Sequence, residues 1–110
     1  MSKIDKLEQM ISSIKSEIMK LTNLRPGTLS EQYNVCGKKI CRCKNEPPEK
    51  HGPYLKLAYT RHGKSGTCFI KKEHHEDIRQ QVENYKRLKE LVDTWVNMEI
   101  EISNIKLKLI

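Results

Sequence analysis

Apolar positions divide the chain into segments of different period. In residues 2–24, Ile4, Leu7, Ile11, Ile14, Ile18 and Leu21 advance by 3, 4, 3, 4 and 3, an unbroken heptad seam. Ser2 with Asp5 three residues on resembles a capping box with Asp in the Glu/Gln position. Arg25-Pro26-Gly27 reads as the stop, because the residue before a proline avoids the helical region. The pattern predicts one helix over 2–24 of about six turns, with a narrow stripe that needs a partner. Residues 26–34, PGTLSEQYN, are turn-rich and lead into the cysteine-containing stretch, with Leu29 and Tyr33 available to pin this arm to the helices. At Leu55 the period becomes two: Leu55, Leu57 and Tyr59 alternate with Lys56, Ala58 and Thr60, a strand with one apolar face. Arg61 to Gly66 is the expected turn and Thr67 to Lys71 the returning strand. From Glu73 a helical stripe of Ile78, Val82, Tyr85, Leu88, Val92, Trp95, Met98, Ile102, Ile105 and Leu109 averages about 3.4 residues per step, close to the coiled-coil spacing. Leu91 and Val96 broaden it.

The expected fold class is therefore α+β. A long N-terminal helix leads to a zinc-knuckle-like loop with a two-stranded antiparallel hairpin, then to a long C-terminal helix, and the helices pair as an antiparallel coiled coil. Residues 1–110 form one domain, divided into a helix over 2–24, a basic knuckle and hairpin over 26–72, and a helix over 73–108. With 110 residues, 36% hydrophobic and 32% charged, the core is thin and needs support from helix pairing, a metal or oligomerisation. The first helix offers about 33 Å and the last about 54 Å, so an intrachain pair leaves stripe uncovered and a homodimer is expected. The residues assigned to that core or interface are Ile4, Leu7, Ile11, Ile14, Ile18, Leu21, Leu88, Val92, Trp95 and Ile102.

Charge changes the picture through its position. The chain carries +7 overall, but residues 25–72 hold eleven Lys or Arg against three Asp or Glu, while the flanking segments are nearly neutral. A central basic segment points to a polyanion, nucleic acid being the commonest, with DNA favoured over RNA. The competing reading is that lysines only keep thiolates and a thin hairpin soluble. The opening MSKIDKLEQM has charges at close intervals and no apolar run, so neither a signal peptide nor a membrane span is expected there. A reducing, cytoplasmic location follows, where clustered cysteines are more often metal ligands than disulfides.

Val35 to Tyr54, VCGKKICRCKNEPPEKHGPY, concentrates three of the four cysteines. Cys36, Cys41, Cys43 and His51 give C-x4-C-x-C-x7-H, three thiolates and an imidazole that can close a tetrahedral Zn²⁺ site of structural type. Gly37 and Gly52 allow the tight turns such near neighbours require. The single residue between Cys41 and Cys43 is unusual for a zinc finger, and free thiols on a basic loop, or a redox pair, remain as alternatives. Cys68 is the alternative fourth ligand to His51, and otherwise a small apolar residue on the hairpin's packed face. Phosphate contacts are assigned to Arg61, His62 and Lys64 at the tip and to Lys38, Lys39, Arg42, Lys44 and Lys56 nearer the root. Tyr54 and Tyr59 are candidates to stack on bases, with core packing favoured for Tyr59. Gly63-Lys64-Ser65 is not a phosphate-binding loop, because its first glycine falls at Ala58. Glu73-His74-His75-Glu76 lacks the i, i+4 histidine pair of a zinc protease and reads as a solvated first turn. With no Ser/His/Asp grouping, acid pair or nucleotide fingerprint, no enzyme is expected.

The string from Arg25 to Glu73 resembles a small transposase-associated bacterial and archaeal domain family of unknown function. The matching motifs are Pro26 to Leu29, C-G-K-x-x-C-x-C at Cys36 to Cys43, H-G-P-Y at His51 to Tyr54, and Gly63-Lys64, followed by the closing helix. The resemblance implies an accessory or regulator of a mobile element and assigns no chemistry. The leading expectation is a small zinc-containing protein that presents a basic hairpin to nucleic acid. The alternative is an interaction module that docks through its helices on a partner such as a transposase.

Overall fold

The computed structural model describes residues 2–34 and 51–109, the side chains at 33, 34 and 51–53 excepted. In order the elements are α1 (Lys3–Lys20), β1 (Thr28–Asn34), β2 (His51–Arg61), β3 (Lys64–Ile70), a 3₁₀ turn (Lys72–His74) and α2 (His75–Leu107). The fold is α+β: an N-terminal helix, a three-stranded antiparallel sheet and a long C-terminal helix. It divides into two compact units, residues 1–24 with 83–110 and residues 25–82.

The first unit pairs α1 with the greater part of α2. Ser2 caps α1 by accepting a 3.1 Å hydrogen bond from the Asp5 amide, which satisfies one of the helix's unpaired N–H groups. The helix ends at Lys20, short of the expected boundary before Pro26. Leu21 turns extended, Asn23 takes φ 55°, and the Thr22 carbonyl accepts from Asn84 Nδ2 at 2.7 Å. Asparagine tolerates the left-handed region better than most residues, so the chain can leave the helix before proline forces it. Leu7, Ile11 and Ile102 form the buried cluster, with Ile4, Trp95 and Met98 packed against it. Lys3 pairs with Glu101 at 2.7 Å and Glu17 with Arg87, fixing the two helices antiparallel. Lys15 Nζ lies over the Trp95 ring, 5.0 Å from its centroid.

The second unit is the sheet with the first turns of α2. Strand order is β1-β2-β3, with β2 central. Strand β1 occupies the stretch that reads as a turn-rich arm; it pairs with β2 from Thr28 opposite Ala58 to Asn34 opposite His51. Strand alternation then sorts the side chains. Leu55 and Leu57 are buried on one face, with Leu29 and Cys68 both in register with Leu57. Val82 is buried in the same unit, where α2 is tied to the sheet by Arg79 to Glu31 at 3.5 Å and by the Arg25 amide donating to the Gln81 carbonyl at 3.1 Å. Gly27 is required by position: at φ 141° a Cβ would lie 2.6 Å from Leu57 Cδ1. Tyr59, half-buried on the same face, lies across Gly66 and beneath the Arg25 guanidinium, 5.6 Å from its ring centroid.

Candidate nucleic-acid interface

The hairpin of β2 and β3 is where cations meet. His62 and Gly63 both have positive φ, 51° and 77°, so two residues make the turn and Lys64 to Gly66 belong to β3 instead of the expected longer turn. Positive φ at both central positions gives the primed geometry that matches the twist of paired strands. Arg61 and Lys64 are consequently register partners, both exposed. Like charges placed directly opposite weaken strand pairing, so this pair works against the hairpin's own stability. The next rung, Thr60 to Ser65, is joined through the hydroxyls at 2.9 Å. From His51 to Lys71 the sequence contains no Asp or Glu.

The other face of the sheet carries Thr28 and Ser30 from β1, Tyr54, Lys56, Ala58 and Thr60 from β2, and Ser65, Thr67 and Phe69 from β3, as strand parity and register require. Lys56, half-buried, is the register partner of Phe69, and Tyr54 meets Phe69 edge to face with centroids 6.1 Å apart. Sequence reading does not single out Phe69. Its signal is parity alone, since Cys68-Phe69-Ile70 is an uninterrupted apolar run until one residue of it is paired with β2. Tyr59 points to the opposite face and is a packing residue. Arg61, His62 and Lys64 thus gather at the tip and Lys56 lies in mid-strand, whereas Lys38, Lys39, Arg42 and Lys44 lie outside the described residues.

Cys36, Cys41 and Cys43 also lie outside the described residues, and of His51 only the backbone is described. Asn34 and His51 are register partners, so the chain leaves β1 and re-enters β2 at one rung. Among the described residues no three His, Cys, Asp or Glu side chains converge to hold a metal. Cys68 is exposed and opposite Leu57, six residues along β2 from His51 and hence about 20 Å away at the usual strand rise. Along the sheet the backbones of His51 and Cys68, the two residues the sequence offers as alternative fourth ligands, are therefore well separated. His75 is not merely solvated: its Nε2 lies 3.0 Å from the Ile70 carbonyl and pins the start of α2 to the end of β3.

The assigned helix residues fall into two groups. Leu7, Ile11 and Ile102 are buried, and Ile4, Ile14, Ile18, Leu21, Leu88 and Trp95 are half-buried. Val92 is exposed, with Leu91 taking the buried position beside it. Val92, Val96 and Ile100 form a second apolar stripe of α2, flanked by Trp95 and Ser103 along a shallow groove. Within the same unit, hydrogen bonds from Arg87 hold the Glu17 carboxyl below its ordinary value, and the same bonds raise Arg87.

A family model described as a domain of unknown function, DUF6788, matches residues 4–80. The chain belongs to this family. The DUF6788 match takes in α1, the sheet and the first turns of α2. Comparison with curated proteins and with solved structures found no significant match. No helix among the described residues is long and apolar enough to cross a membrane.

Proposed function

We propose that this chain is a small, non-enzymatic nucleic-acid-binding protein that presents its basic hairpin to phosphates, as an accessory or regulator of a mobile element in the cytoplasm. The observation that carries the reading is the opposed pair Arg61 and Lys64 at the tip of a hairpin without acids. Two cations that disfavour their own strand pairing are stabilised by an anion between them, and a phosphate backbone supplies one at every step. DNA is favoured over RNA only as the commoner partner of such a patch. A structural Zn²⁺ held by Cys36, Cys41, Cys43 and His51 closes the base of the sheet. Its support is the shared rung of Asn34 and His51, which brings the two ends of the cysteine segment together. Three thiolates and an imidazole suit zinc's preference for a closed, soft ligand set.

The helices are proposed to pair as an antiparallel coiled coil, supported by the heptad seam of α1 and the cluster of Leu7, Ile11 and Ile102. A second reading has its own observation. The exposed stripe of Val92, Val96 and Ile100 suits a further helix, from a second copy of the chain or from a partner such as a transposase. The deciding experiment for the leading reading is a salt-titrated binding assay on short duplex and single-stranded probes. Replacing Arg61 and Lys64 together by Ala is expected to weaken binding and to lower the slope of log K against log salt by about 2. Absence of binding at low salt, or an unchanged slope in the double variant, refutes it.

A further inference from the structure

The outer face of the sheet has a composition that folding does not require. Its described residues are five hydroxyl side chains, Gln32, Ala58, one lysine and two aromatic rings; no acid is present. The one acid in the three strands, Glu31, lies on the opposite face and is engaged by Arg79. Tyr54 and Phe69 are 40% and 57% exposed, although Leu55, one residue from Tyr54 on β2, is buried. Their planes meet at 74°, so each ring keeps a π-face free of the other. Lys56 stands on the same rung as Phe69 and next to Tyr54 along the strand.

We propose that this face is a stacking platform for single-stranded nucleic acid, in which Tyr54 and Phe69 each receive a base and Lys56 meets the intervening phosphate. The proposal rests on the nucleic-acid reading and sharpens it to the single-stranded form. Base pairs in a duplex hide their π-faces in the stack and offer only edges, so flat aromatic faces are of use only to unpaired bases. Two rings inclined steeply to each other suit bases splayed apart, and they cannot receive the parallel steps of a helix. Charge complementarity argues for the ligand: among the described strand residues of this face are one lysine, hydroxyl donors and two rings but no acid, which fits an anion carrying planar bases. A protein partner that docks by burying apolar surface needs a continuous apolar patch, which two rings among hydroxyls do not provide.

Fluorescence anisotropy with labelled oligo(dT), oligo(U) and a short blunt duplex, at one low salt concentration, tests this on the full chain. Single strands are expected to bind about tenfold or more tightly than the duplex. Phe69→Ala and Tyr54→Ala are each expected to weaken single-strand binding by roughly 5- to 100-fold and to leave duplex affinity and the salt slope unchanged. Phe69→Leu keeps apolar bulk on the strand without a π-face, so it must show the same loss if stacking is the cause. A loss on either single strand supports the platform and identifies the sugar it accepts. Wild-type affinity for both single strands in Phe69→Leu, or equal weakening of duplex and single strand, overturns it. Binding that depends on Arg61 and Lys64 but not on Tyr54 or Phe69 overturns the platform and leaves the basic hairpin standing. Absence of binding to every probe overturns both.

Discussion

Leu57 is the most informative position at which to perturb the sheet. It is fully buried, and the Gly27 backbone comes so close that an added Cβ would sit 2.6 Å from its Cδ1 and 3.0 Å from the Ala58 carbonyl oxygen. Truncation to Ala leaves a cavity walled on one side by main chain, which cannot refill it by changing rotamer. The cost should therefore lie in the upper part of the range for buried leucines, about 3–5 kcal/mol. For 110 residues the whole stability is roughly 5–15 kcal/mol, so this one change removes a large share of it. With a urea m-value of about 2 kcal/mol/M, the midpoint should fall by roughly 1.5–2.5 M, followed by circular dichroism. Gly27→Ala alone should also destabilise, through the same contact and through its φ of 141°. In the double variant the new Cβ enters the space Leu57 has vacated, so the two losses should fall short of additivity by about 1 kcal/mol. A Leu57→Ala loss below about 1 kcal/mol, or strict additivity in the cycle, refutes this account of the packing.

Three further outcomes are expected. The Glu17 carboxyl is held low by hydrogen bonds from Arg87, so its contribution to stability is present above the unfolded carboxylate's pKa and lost as pH falls through the folded value; acid titration of Glu17→Gln should show a slightly shallower loss than wild type, and superimposable slopes refute it. Purified protein is expected to hold one equivalent of zinc that is lost on Cys41→Ser and kept on Cys68→Ser, with chelation raising amide exchange near His51 before Leu57; reactive thiols with no metal refute the site. Val96, 49% exposed, is expected to lie in a homodimer interface, so Val96→Glu should be monomeric by sedimentation with its helicity kept, and a monomeric wild type refutes the dimer.

Much of the fold is legible in the apolar pattern. The heptad seam of α1, the alternation of Leu55, Leu57 and Tyr59, and the long stripe of α2 each mark an element the structure contains. Strand β1 escapes for a physical reason. Leu29, Glu31 and Tyr33 share one parity, and the acid in the middle breaks the apolar alternation that would announce a strand. Glu31 stays exposed there and pairs with Arg79, brought from α2, and no local pattern foretells a partner forty-eight positions away in the chain. The end of α1 is misplaced because proline is the visible stop, while Asn23 and the Thr22 carbonyl make the earlier one through a contact with Asn84. At the candidate site the basic tip is legible from composition, but its opposed cations depend on where the turn falls. The exposure of Phe69 depends on register, which an apolar triplet does not specify.

The parity of the sheet has an evolutionary consequence. Positions 55 and 57 are buried in the core of the sheet, and positions 54, 56 and 69 lie on its outer face, although the two sets are interleaved on the same strands. Substitution on the outer face can proceed with the core unchanged, so ligand preference can drift between relatives while the scaffold stays fixed. A slip of one residue would exchange the two sets, burying Lys56 and exposing Leu57. Selection on the buried leucines therefore preserves the orientation of the outer face as well.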